Sequence, residues 1–179
     1  LCMNDVCLLM LIRISTMYTY CHFGSGVHTA SLFGGGNNVT KLENPISSEM
    51  NHMRPDLLAG LLQAVRRNQD RGFSDMALFE VGPAFHGGEP EEHHLHVAGL
   101  LIGRTGPKDV HGESRLFDVY DAKADVENVL AALGAPAKTQ VFREGAPWWH
   151  PGRHGRICLG PKKMLAVFGE IHPKILRDM

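Results

Sequence analysis

None of the four cysteines, Cys2, Cys7, Cys21 and Cys158, stands in a CxxC spacing with another. That excludes a zinc ribbon and a thioredoxin-type motif, and scattered thiols fit a reducing cytosol better than a secreted disulfide scaffold. An excess of charge of one sign is missing as well. With 18 Lys+Arg against 19 Asp+Glu, the formal net charge is −1. No global field therefore draws the chain to nucleic acid, and an RNA contact would rest on local groups such as Arg66, Arg67 and Arg71. Long apolar runs are absent too. The stretch Cys7-Leu8-Leu9-Met10-Leu11-Ile12 is apolar throughout but far short of the ~20 residues a membrane span needs. Asn4 and Asp5 stand where a signal peptide is basic, and no small-residue cleavage site follows closely. No internal repeat, low-complexity tract or clear targeting signal is found, so the expected setting is the cytoplasm, with no membrane partner.

What is present reads as an ordinary globular chain. At 179 residues, 44% hydrophobic and 21% charged, it fits one domain or part of a larger one, long enough for a sizeable core. Residues 1–17, rich in Cys, Met and Leu, form a segment apart: a buried strand or helix on one reading, an aberrant N-terminus on the other. Residues 18–23 are β-prone. Residues 32–38, with Gly34, Gly35 and Gly36, are a turn-rich loop. The strand, helix and Lys-Ser/Thr pair that a phosphate loop needs do not surround it.

Two helices stand out. Pro55 suits a first helical position, and Leu57, Leu58, Leu61, Leu62 and Val65 recur at helical spacing behind it. Arg66, Arg67 and Arg71 complement the end of the dipole, and Gly72 is a natural stop. Gly60 interrupts the stripe at a cost of about 1 kcal/mol relative to Ala, which hints at a close backbone approach. A second helix is expected over residues 121–133, capped by Asp121 or the acidic residues after it, with Val126, Val129, Leu130 and Leu133 as its buried stripe and Gly134 at its end. Strands are expected at 76–85 and 96–102, joined by a long-looped antiparallel hairpin. The nearly all-apolar 97–102 run suits a strand covered on both faces. Further short strands fall at 139–143, 156–159 and 165–168. Hairpin strands with helices laid on one face give an α+β class.

Several side chains invite a site reading. His94 and His96, beside His93, Glu91 and Glu92, would share a strand face and could both ligate a metal, but a solvated loop tip accounts for them as well. His150 and His154 are four apart, yet Pro151 and Gly152 between them argue against a helix and a zincin motif. A turn at Pro151 with Arg153 ion-paired explains that segment better. Trp148 and Trp149 could stack on a base; anchoring a packed loop or a subunit contact is the simpler role.

Five ordered motifs carry a family likeness. Asn44-Pro45-Ile46-Ser47-Ser48-Glu49, Met53-Arg54-Pro55-Asp56-Leu57-Leu58-Ala59-Gly60-Leu61-Leu62, Leu78-Phe79-Glu80-Val81-Gly82-Pro83-Ala84-Phe85, Trp149-His150-Pro151-Gly152-Arg153 and Phe168-Gly169-Glu170-Ile171-His172-Pro173 resemble the catalytic-like domain of the bacterial phenylalanyl-tRNA synthetase β subunit. The likeness covers residues 18–173. It implies a class II synthetase fold, an antiparallel sheet flanked by helices, with residues 1–17 outside it and 18–179 as a core domain truncated at its C-terminus. In such enzymes a strand ending in Phe-Arg-x-Glu uses its arginine to clamp the ATP α-phosphate. Here Phe85 is followed by His86. A guanidinium is always charged and offers a rigid fork to phosphate oxygens; an imidazole, ordinarily titrating at roughly 6.5, does neither at neutral pH. The second class II arginine, in a Gly-x-Gly-x-Gly-x-Glu-Arg start, has no counterpart.

The resemblance therefore implies a domain without catalytic residues that supports the α subunit by packing, with tRNA met only indirectly. ATP and magnesium would be handled by other regions of the complex, so no cofactor and no metal is expected on this chain. Its structural or interface candidates are Arg54, Leu57, Leu58, Leu61, Leu62, Glu80, Phe85, His150, Arg153, Glu170 and His172. The four leucines would line either the α-subunit contact or the domain's own core. Arg54 aligns loosely with the arginine of a Leu-Arg-Pro-Glu type segment in histidyl-type enzymes, whose following acid meets the substrate amino group; here Asp56 stands one place beyond the proline, and buried ion pairing or helix capping is favoured over substrate binding. Two alternatives stay open: an adenylate-forming ligase with a degenerate motif, and a non-functional gene fragment.

Overall fold

The computed structural model describes residues 16–17, 31–34, 40–45, 48, 51–89, 92–106 and 114–178. They divide into two compact units, 16–100 and 101–178.

The first unit is built on a sheet of order β1-β2-β3, with β1 at Thr16–Met17, β2 at Met76–Phe85 and β3 at His93–Ile102. β1 runs parallel to β2, with Thr16 beside Leu78 and Met17 beside Phe79. This short parallel pairing brings into the sheet two residues of the segment set apart as 1–17. The strand expected at 18–23 lies outside the described residues, as does most of the 32–38 loop. The connection from β2 to β3 is too short for a parallel crossover, so the pair is a hairpin.

Helix α1, Leu58–Gln69, packs on β2. Pro55 is not its first residue. Asp56 accepts a hydrogen bond from the Leu58 amide at 2.7 Å, satisfying one of the unpaired amides at a helix start, and Pro55 precedes that turn. The apolar stripe is wholly inside: Leu57, Leu58, Leu61, Leu62 and Val65 are each at most 8% exposed, contributing about 1.5–3 kcal/mol apiece. In this chain the stripe lines the core of its own unit, which α1 closes. Gly60 is exposed, and among the described residues a Cβ there would meet a Glu80 carboxylate oxygen at 3.7 Å, with no backbone in tight contact. The chain leaves the helix through Gly72, at φ +92, a conformation other residues rarely take.

β2 is buried on both sides at Leu78, Phe79 and Glu80. β3 is not. Leu95 is 59% exposed and Val97 36%, so the strand expected to be covered on both faces is covered on one. It also starts three residues earlier than expected, placing His93 and His94 in the strand rather than at a loop tip.

In the second unit, Arg104 and Leu116 form an isolated antiparallel bridge. Helix α2, Val119–Ala132, packs on the strand Lys163–Ile171. Its cap is Asp118, whose carboxylate accepts from Tyr120 and Asp121 amides while Asp121 reaches back to the Asp118 amide. This is a capping box with Asp121 at its third position, not at its cap. The stripe expected to be buried is only half covered, and Leu133 is 46% exposed.

β4 (Gln140–Phe142), β5 (Trp149–Leu159) and β6 (Lys163–Ile171) form an antiparallel sheet in that order, centred on Ile157, Cys158 and Phe168. β5 is longer than expected because Pro151 and Gly152 lie inside it. Trp149 pairs with Ile171 and His154 with Gly169, so residues 150–153 all face the single residue Glu170. The predicted turn is thus a wide bulge within a strand. α3, Pro173–Asp178, follows directly.

Candidate functional site

The expected site residues gather in two places, one in each unit. In the first, Arg54 enters from the segment before α1 and meets Glu80 on β2 in an ion pair, both side chains nearly out of solvent at 11% and 7% exposure. Its Nε also donates to the Pro83 carbonyl at 2.8 Å, and its own carbonyl accepts from the Phe85 amide at 2.9 Å. Arg54 therefore ties the approach to α1 to both ends of the Glu80-to-Phe85 stretch. Gly82 makes room for it, since a Cβ there would strike the Arg54 guanidinium. A guanidinium so held, with its charge matched, is not offered to a ligand.

Beyond Phe85 the strand ends at His86, which is exposed. Its ring centre lies 5.6 Å from that of His96 and 6.1 Å from that of His94. Asp56, at the mouth of α1, lies within electrostatic reach of His86 and His96. Burial pushes the Asp56 carboxyl above its usual 3.8, against the lowering pull of the Leu58 amide and of the histidines. Burial likewise pushes His96 below 6.5, and His86 beside it adds to that shift. Both groups are thus biased toward their neutral forms. Sequence reasoning had paired His94 with His96; it missed His86 as their neighbour, although the hairpin pairing of the two strands carried the signal.

The second gathering lies along the bulge. Arg153 pairs with Glu170 at 2.8 Å across β5 and β6, with both residues partly solvated, so the pair contributes little to stability. His150 and His172 stand with ring centres 6.5 Å apart. His172 stands just before α3, its Nδ1 accepting from the Lys174 amide at 3.1 Å, while its amide donates to the Trp148 carbonyl at 2.8 Å. Gly169 lets the strands close there: a Cβ would come within 2.8 Å of the Arg153 carbonyl oxygen and strike His154. His154 bonds the His150 carbonyl through Nδ1 at 2.6 Å. The His150 to Pro173 region is thus a knot of two strands and a helix start.

Residues 27–179 match the family model described as the phenylalanyl tRNA synthetase beta chain CLM domain. The chain belongs to that family. It is 71% identical over 151 residues to a phenylalanine--tRNA ligase beta subunit of Ruegeria pomeroyi, covering 84% of this chain and 19% of that relative. A subunit of the same description from Cereibacter sphaeroides is 63% identical over 150 residues, covering 84% of this chain and 18% of the relative, and one from Rhodospirillum rubrum 50% identical over 145, covering 80% and 18%. The chain therefore spans about a fifth of the length of the curated relatives it matches. Its fold resembles that of pyrrolysyl-tRNA synthetase from Desulfitobacterium hafniense in two solved structures. One has a TM-score of 0.65 and 13% identity, over 98% of this chain and 59% of that one; the other has 0.59 and 11%, over 92% and 53%. The likeness places the mixed sheet and its helices in the class II synthetase fold. Among the described residues no helix is long and apolar enough to cross a membrane.

Proposed function

We propose that this chain is a non-catalytic synthetase-like domain of a phenylalanine–tRNA ligase β subunit, serving tRNA(Phe) aminoacylation in the cytoplasm by packing against the α subunit. The observation that carries the reading is what became of the cations around β2. Nucleotide activation needs fixed positive charge aimed at phosphate oxygens. The strand that would supply it is followed by His86, and Arg54 beside it is buried against Glu80. What is kept is the scaffold: the α1 core, the Arg54–Glu80 tie and the bulged β5–β6 knot. ATP and magnesium are handled elsewhere in the complex on this reading, and tRNA is met only indirectly.

The test is co-expression of the whole β subunit with a tagged α subunit, in parallel with the same pair carrying Leu61→Asp. Leu61 is 1% exposed, so a charge there unfolds the first unit. The wild type is expected to co-elute with α, and the variant to be lost from the complex. Undiminished co-elution of the Leu61→Asp subunit, with full aminoacylation, overturns the proposal.

A further inference from the structure

We propose that a cavity at the turn end of the β2–β3 hairpin binds a small zwitterion with an apolar side chain, a free α-amino acid such as phenylalanine. The cavity holds about 270 Å3 and its lining belongs wholly to the first unit. Pockets for drug-sized ligands run from about 300 Å3 upward, so a guest here is the size of one amino acid. Backbone hydrogen bonds set the walls. On one side the Leu42 amide donates to the Asn51 carbonyl and the Met53 amide to the Thr40 carbonyl, both at 2.8 Å. On the other side the hairpin turn is closed by its own bonds. The His86 amide donates to the Glu92 carbonyl at 3.1 Å, the Glu92 amide to the Glu89 carbonyl at 3.0 Å, and the Glu89 amide to the Glu92 carboxylate at 3.1 Å. The Phe85 amide, donating to the Arg54 carbonyl at 2.9 Å, ties one wall to the other. A cavity braced in this way is formed before a guest arrives, so binding does not have to order its loops.

The lining has an apolar part and a charged part. Leu42, Met53 and Phe85 are half-buried there, and the His93 ring, 5.9 Å from that of Phe85, borders the same space. A third ring beside these two is favourable in offset or tilted geometry, which suits an aromatic guest. Lys41 and Glu89 also line the cavity and are exposed. Among the described residues neither is in an ion pair, with the other or with a third group. An ammonium and a carboxylate that share one cavity without meeting are complementary to a guest carrying the same two charges. Its carboxylate goes to Lys41, its ammonium to Glu89, and its side chain lies against Met53 and Phe85. A purely apolar guest leaves both charges unanswered, and a guest of one sign is repelled by one of them. Because both charges are solvated, each contributes modestly. The site takes no part in nucleotide chemistry, and it stands whether or not the packing role does.

Titration of the isotope-labelled full chain with L-phenylalanine at neutral pH, followed by amide chemical shifts, tests it. Saturable shifts at Lys41, Leu42, Gly87 and Gly88 are expected, with a dissociation constant of about 0.1–1 mM. 2-Phenylethylamine, which lacks the carboxylate, and 3-phenylpropionate, which lacks the ammonium, should each bind about two- to fivefold more weakly. Lys41→Gln and Glu89→Gln change exposed side chains and keep the melting curve, and each should weaken phenylalanine by about the same factor. The losses should also cross: Lys41→Gln leaves phenylethylamine unaffected, and Glu89→Gln leaves phenylpropionate unaffected. Absence of saturable shifts up to about 10 mM overturns the proposal. So do saturable shifts that fall elsewhere in the chain, or an affinity for phenylalanine that both substitutions leave unchanged.

Discussion

Removing the Arg54 side chain while leaving Glu80 in place should be among the most damaging single changes this chain can suffer. Arg54→Met keeps the length and apolar stem but withdraws three things: the ion pair with Glu80, the hydrogen bond to the Pro83 carbonyl and the charge that makes a buried carboxylate tolerable. With side chains 11% and 7% exposed, water cannot replace the guanidinium. Breaking a buried pair from one side costs about 3–5 kcal/mol, mostly from the stranded charge. Against a total stability of about 5–15 kcal/mol, that loss leaves the first unit marginal. The decisive comparison is the double variant Arg54→Met, Glu80→Leu. With no charge left unpaired it should regain a large part of the loss, whereas if the pair mattered only as packing volume the two losses would add. Urea unfolding followed by circular dichroism reads both, with the shift in midpoint giving the free-energy difference. A cost below about 1 kcal/mol for Arg54→Met, the range of a solvated pair, would refute the reasoning, and so would strict additivity in the double variant.

Three further outcomes follow from the same structure. His96 is pushed below 6.5 by burial and by His86, so its contribution to stability is present above pH 6.5 and lost as pH falls through its folded-state value. In metal-free buffer the midpoint should decline on acidification from 7.5 to 5.5, and His96→Gln should flatten that slope by at most about 1.4 kcal/mol per pH unit, the value for one whole proton; an unchanged slope would contradict the assignment. Asp56 acts oppositely: raised by burial, it favours the fold below pH 3.8 and loses that contribution as pH climbs through its shifted value, which Asp56→Asn would reveal in acid unfolding. Gly169→Ala should destabilise the β5–β6 knot by about 1–3 kcal/mol, the usual cost of forcing extra volume into a packed site, because its Cβ collides with His154; a neutral result in thermal unfolding would show that the strands part freely.

Much of the fold was legible because it rests on local pattern. The α1 stripe followed from spacing alone, and β2 came out at its observed bounds because a run of apolar residues between turn signals leaves little choice. Boundaries failed where one side chain outvoted a propensity. Asp56 started α1 after Pro55, and Asp118 capped α2 before Asp121. Pro151 and Gly152 looked like the end of a strand, and only the pairing with β6 shows that a bulge absorbs them. β3 read as a fully covered strand because composition does not reveal which face of a sheet is covered. The half-open stripe of α2 is the same failure on a helix. Of the site, the absence of an arginine after Phe85 was readable directly. An ion-paired Arg54 was readable too, but its partner Glu80 and the gathering of His86 with His94 and His96 were not, since each joins residues brought together only by the packing of α1 and the folding of the hairpin.

The most direct measurement of the central claim is equilibrium binding of magnesium-ATP to the purified chain, with aminoacyl-adenylate formation followed in the same samples. No saturable nucleotide binding up to about 1 mM and no adenylate is the result expected of a strand that ends in His86. Micromolar, magnesium-dependent ATP binding accompanied by adenylate release would contradict it.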